Sequence, residues 1–104
     1  EENTISIDEF SDHLVKTLDN ALSALEDKER KQTIQNCLSL LSSEENFLLT
    51  LYYFDDQNLD EIAKIMDINS NNVKVKLFRS RKKLAVILKK QLEPEILDYY
   101  ERER

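Results

Sequence analysis

The stretch NLDEIAKIMDINSNNVKVKLFRSRKKLAVIL, residues 58 to 88, decides the fold. Asn58 followed three residues later by Glu61 is a capping box, which opens a helix. Leu59, Ile62, Ala63, Ile65 and Met66 then supply a short apolar segment of helical spacing. Asp67-Ile68-Asn69 interrupts it. Aspartate tolerates the left-handed backbone better than most non-glycine residues, so Asp67 is predicted to end the helix. Asn69 or Ser70 caps a second helix, in which Val73, Leu77, Leu84 and Leu88 recur at helical spacing. A short helix, a break of a few residues and a longer basic helix is how a helix-turn-helix is written. Ala63 fits the crossing point, where a large side chain would hold the helices apart. Ile68 plugs the wedge between them, and Val73 and Leu77 seat the second helix on the first.

Upstream, Ser6 and Glu9 read as another capping box, followed by Phe10, Leu14, Leu18, Leu22 and Leu25 as an amphipathic stripe. A helix is predicted over Ile7–Leu25. Asp27 is placed to cap a second helix with Ile34, Leu38 and Leu41 on one side. Ser42 and Glu45 form a further capping box, opening a helix with the aromatic stripe Phe47, Leu48, Leu51, Tyr52 and Phe54, read as core. Asp55-Asp56-Gln57 breaks it. Pro94 suits the first turn of a last helix carrying Ile96, Leu97 and Tyr100.

Composition agrees with an all-helical chain. The 104 residues suffice for one domain with a core. There is no glycine and a single proline, which argues against a fold built on hairpins. One cysteine, Cys37, and one histidine, His13, exclude an internal disulfide and a Cys/His zinc site; both read as ordinary helical residues. No metal or cofactor is expected. No apolar run approaches the roughly 20 residues of a membrane span, and no signal peptide is visible, so a cytoplasmic location is expected. The opening Glu1-Glu2-Asn3 lacks an initiator methionine, which suits a piece of a longer protein.

The net charge of −6 conceals an asymmetry. Residues 1 to 60 hold four basic and fourteen acidic side chains, whereas residues 61 to 104 hold eleven basic and seven acidic. Between Asp67 and Glu93 lie eight basic residues and no acid. A phosphate backbone meets that local field, although a solvated helix face neutralised by neighbours in space accounts for it equally well. Lys74, Val75, Phe78, Arg79 and Lys82 fall on a different face from Val73 and Leu77. That face suits the major groove. Arg79 matches guanine O6 and N7, Lys74 matches a guanine or a phosphate, and Val75 and Phe78 match a thymine methyl. Asn58, Asn72, Lys76, Arg81, Lys82 and Lys83 are assigned to phosphates, aided by helix N-termini.

The stretch from Leu41 to Leu88 resembles the C-terminal domain, region four, of extracytoplasmic-function RNA polymerase sigma factors. DEIAKIMDINSNNVKVKLFRSRKKL, residues 60 to 84, carries the most specific likeness. The resemblance implies promoter −35 recognition through the second helix of the motif, with Lys74, Val75, Phe78 and Arg79 reading bases. It also implies docking on the flap of the polymerase β subunit, and an anti-sigma factor as a partner. Residues 1–40 would be linker-derived helices, 41–92 the region-four domain and 93–104 a C-terminal helix or tail. The chain departs from the family pattern at Asp56 and Asp67, where glycine is frequent. It departs also at Gln57, where leucine is usual, and at Ser70-Asn71-Asn72, where Val-Gly-Thr is commoner. The acidic helix at Ile7–Leu25 has no counterpart there and is a candidate to cover the basic DNA-binding face.

Two other readings fit the residues: a helix-turn-helix output domain of another regulator, such as a response regulator, and a helical protein-interaction module. An enzyme is disfavoured, because no nucleophile–base–orienter set, metal cluster or phosphate-binding loop is present.

Overall fold

The computed structural model describes residues 7–92, and the capping box at Ser6 and the segment beginning at Pro94 lie outside the described residues. The described residues form five helices: α1 (Ile7–Ser23), α2 (Asp27–Leu38), α3 (Ser43–Tyr53), α4 (Leu59–Met66) and α5 (Ser70–Leu92). None is long and apolar enough to cross a membrane. The long α5 is the spine, and each of the other helices packs against it.

Local chemistry sets the boundaries. At the start of α3, Ser42 Oγ accepts from the Glu45 amide while Glu45 Oε1 accepts from the Ser42 amide. Asn58 and Glu61 repeat the exchange at α4, with both bonds at 2.8 Å. Asn69, rather than Ser70, caps α5, its Oδ1 accepting from the Asn72 amide at 2.8 Å. The cap of α2 is Glu26, one residue before the expected Asp27, because Glu29 reaches back to the Glu26 amide. α1 stops at Ser23, short of Leu25, and Arg30 closes it by donating to the carbonyls of Leu22 and Leu25.

Without glycine, the chain places aspartate where the backbone turns left-handed. Asp56 has φ 53° and Asp67 φ 58°, the two positive-φ positions among the described residues. Asp67 lets the Ile68 amide reach back to the Ala63 carbonyl at 3.1 Å, closing α4 and redirecting the chain into α5. At the other bend the Gln57 amide donates to the Leu51 carbonyl and its side chain to the Asp55 carbonyl. A branched residue at Asp67 meets the full steric penalty of this backbone. Asp67→Val is therefore expected to cost about 1–2 kcal/mol in a urea melt, whereas Asp67→Gly is tolerated.

One core runs through all five helices. Leu14, Leu18 and Leu22 of α1 and Ile34, Cys37 and Leu38 of α2 join Leu48, Leu49, Leu51, Ile62, Ala63, Val73, Leu77, Leu84, Ala85 and Leu88. Three apolar residues assigned to helix stripes are instead exposed: Phe10, Phe47 and Ile65. In α1 the buried stripe is Ser11, Leu14, Val15, Leu18 and Leu22, which leaves Phe10 about 100° to one side. In α3 the buried residues are Leu48, Leu49 and Leu51, so the aromatic at 47 points away. In α4 the buried residues are Ile62 and Ala63, and Ile65 falls at the margin of the stripe, beyond Ile62 on the side away from Ala63.

Glu45 ties the cap of α3 to α5. Its second carboxylate oxygen accepts from Lys83 Nζ at 2.6 Å. That bond lowers its pKa from the usual 4.5, and hydrogen bonds at Ser42 add to the effect against some desolvation. A carboxylate that holds its proton less readily in the folded state stabilises the fold above the unfolded value and loses that contribution on acidification. Glu45→Ala is expected to cost about 1 kcal/mol at neutral pH. The gap from the parent narrows as the pH falls through and below the usual glutamate range, measured by denaturation across a pH series.

Candidate nucleic-acid interface

The helix-turn-helix is α4, the turn at Asp67–Asn69, and α5. Ala63 and Val73 are buried where the two helices meet, and Ile68 packs against the same core from the turn. Ser70 Oγ, at the first residue of α5, donates to Asp60 Oδ1 at 2.6 Å, which draws the N-termini of α4 and α5 together. Helix N-termini favour anions, and here a pair of them is presented side by side.

Core contacts on Val73, Leu77, Ser80, Leu84 and Leu88 leave the opposite face of α5 free. Lys74, Val75 and Arg79 are exposed and Phe78 is half-buried. All four line one groove of about 710 Å³, together with Asn71, Leu59, Asp12 and Tyr52. The structure thus brings the base-reading candidates together on one surface, beside the paired N-termini. Asn71 was not among them, although it lies four residues before Val75 and three before Lys74, the spacing that stacks side chains on one helix face.

The phosphate candidates divide. Asn58 and Asn72 are exposed at the N-termini of α4 and α5, with Asn58 Oδ1 engaged by the Glu61 amide. Lys76 and Lys83 turn toward the acidic first turn of α3, at 3.5 Å from Glu44 and 2.6 Å from Glu45. Lys82 borders a second groove, against Phe10 and Val86. Arg81 points inward, with its side chain only 15% exposed. Its guanidinium bonds Asp19 of α1 and Tyr53 Oη of α3, the latter at 3.0 Å, and lies 5.4 Å from the centre of the Tyr52 ring. The assignment of Arg81 to a phosphate is corrected by this placement. Position 81 is four residues after Leu77 and three before Leu84, so it shares their face. Desolvation lowers the Arg81 pKa, but Tyr53 and Asp19 outweigh it and hold the group above its ordinary value.

This leaves an uneven charge surface. Among the described residues, acids neutralise Lys76, Arg81 and Lys83, while Lys74 and Arg79 carry no ion pair. Lys82, Lys89 and Lys90 of α5 are likewise without an ion pair among the described residues, and Arg81, though paired, also lines the groove of Lys74 and Arg79. That groove holds little acid, Asp12 at its α1 edge being the exception.

Compared with family models, residues 31–84 match sigma-70, region 4, and that span is just over half of the chain. The chain belongs to the sigma-70 region 4 family. The matched span covers most of α2, all of α3 and α4, the turn, and α5 as far as Leu84, so it contains Lys74, Val75, Phe78 and Arg79. It begins ten residues before Leu41, within α2, and α1 lies outside it. No curated protein and no solved structure gives a match. Membership in a region 4 family makes this a DNA-binding regulatory domain rather than an enzyme, and it decides among the helix-turn-helix readings in favour of a sigma factor.

Proposed function

We propose that this region 4 domain recognises the −35 element of promoters for a bacterial alternative sigma factor of the extracytoplasmic-function type, directing RNA polymerase from the cytoplasm. Lys74, Val75, Phe78 and Arg79 read bases in the major groove, and Asn58, Asn72 and Lys82 meet phosphates along its edges. Lys76 and Lys83 contribute less, being shared with Glu44 and Glu45. The polymerase core, through its β-subunit flap, is the second partner, and an anti-sigma factor competes for the same surfaces. One observation supports this most: two cations without an ion pair, Lys74 and Arg79, share a groove with Val75 and Phe78.

The test is titration of a −35-containing duplex and a scrambled duplex at several salt concentrations. Binding that prefers the matched duplex, with a log–log salt slope of several units, is expected, since each neutralised phosphate contributes about 0.9. Equal affinity for both duplexes at every salt concentration would refute base reading.

A further inference from the structure

The cluster around Arg81 joins α1, α3 and α5, of which α3 and α5 are also tied by Lys76–Glu44 and Lys83–Glu45. Arg81 leaves α5, bonds Asp19 of α1 and Tyr53 of α3, and stacks toward Tyr52, whose ring meets that of Tyr53 edge-on at 4.9 Å. A planar guanidinium offers donors in a fixed fork, so its partners fix its direction as well as its position. Arg81 sits two residues beyond Arg79 on the same rigid helix. Any rotation or slide of α5 that moves Arg79 in a DNA groove therefore also moves Arg81 against Asp19 and Tyr53. Leu14, Leu18 and Ala21 of α1 flank Ala85 and Leu88, one turn further along α5. The element outside the family match is thus fastened to the helix that carries the reading face.

We propose that Arg81 is a positioning residue, which with Asp19 and Tyr53 clasps α1 to the helix-turn-helix and sets the attitude of the α5 reading face. This rests on the promoter-reading assignment above. It makes α1 a working part of the DNA-reading unit instead of a linker that happens to precede it.

The charge of Asp19 gives the test its sign. If α1 were only an acidic cover, removing Asp19 would tighten binding to every duplex by relieving repulsion from phosphate. If Asp19 holds the clasp, its removal weakens binding to the matched duplex. Asp19→Ala, Tyr53→Phe and Arg81→Met are compared in the full chain with the parent, on matched and scrambled duplexes across a salt series. Amide hydrogen exchange of the DNA-free proteins is recorded alongside. The expected result is a loss of about fivefold or more on the matched duplex, with the scrambled duplex nearly unchanged. The salt slope stays at the parent value, and exchange accelerates in α1.

Tighter binding by Asp19→Ala overturns the proposal. So does a salt slope reduced by about 0.9 in Arg81→Met with equal losses on both duplexes, the behaviour of a phosphate contact. Unchanged α1 exchange in Asp19→Ala overturns it independently of DNA. Asp19 is half-exposed, so this variant keeps the test available if Arg81→Met does not fold. A parent protein without preference for the matched duplex counts against the promoter-reading assignment. The exchange measurement then decides whether the clasp holds α1.

Discussion

Leu84→Ala is expected to lower the unfolding free energy by about 2–5 kcal/mol, the range for emptying a fully enclosed leucine site. Leu84 is 0% exposed and lies on the side of α5 that joins the common core. A domain of this size has about 5–15 kcal/mol in total, so the substitution removes a large share of it. At roughly 4–8 °C per kcal/mol, the thermal midpoint falls by about 8 °C or more. Val86→Ala, two residues along the same helix on its exposed side, is the control and is expected to cost under about 1 kcal/mol. Denaturant melts followed by circular dichroism separate the two. Similar midpoints for both variants would mean that α5 is not packed on the other helices through the Leu84 face. The reading face at Arg79 would then lose its support as well.

Much of this arrangement was legible because capping chemistry is local. Ser42 with Glu45 and Asn58 with Glu61 mark their helix starts by residue type alone, and Asp67 marks the turn in a chain with no glycine to offer. The core face of α5 was equally legible, because Val73, Leu77, Leu84 and Leu88 repeat with the helical period. What escaped was tertiary. An apolar residue at the margin of a stripe, such as Phe10 or Phe47, is buried only if a neighbouring element reaches it. A cation such as Arg81 looks like any other in a basic run until its partner on another helix is known. Its spacing from Leu77 and Leu84 is the local signal, and it competes with the general preference of charged side chains for solvent. Asp19 is 62 residues away in sequence, and nothing local links the two.

That redistribution of charge bears on the hypothesis that α1 covers the DNA-binding face. α1 runs along the C-terminal half of α5, with Leu14, Leu18 and Ala21 beside Ala85, Leu88 and Lys89. Near the reading face it contributes Asp12 to the rim of the groove. Lys74, Val75 and Arg79 stay exposed in its presence. The acidic helix therefore flanks the face instead of burying it.

Arg79→Ala is expected to cost the matched duplex about tenfold or more in affinity and to erase preference at one base pair. A bidentate contact to guanine discriminates by about 1–3 kcal/mol, and each 1.4 kcal/mol is a factor of ten. Arg79 is exposed and free of ion pairs among the described residues, so no intramolecular bond need break before it meets a base. Lys83 provides the contrast. Its ammonium is already shared with Glu45, and Lys83→Ala removes a charge that DNA sees only in part. That variant is expected to weaken matched and scrambled duplexes alike, reducing the salt slope by less than the roughly 0.9 of a full phosphate contact. The comparison isolates direction from charge, since each variant loses one positive charge from the same helix. If both lowered matched and scrambled binding by equal factors, α5 would act as a rod of charge. The geometry that separates its paired flank from its open face would then have no part in promoter choice.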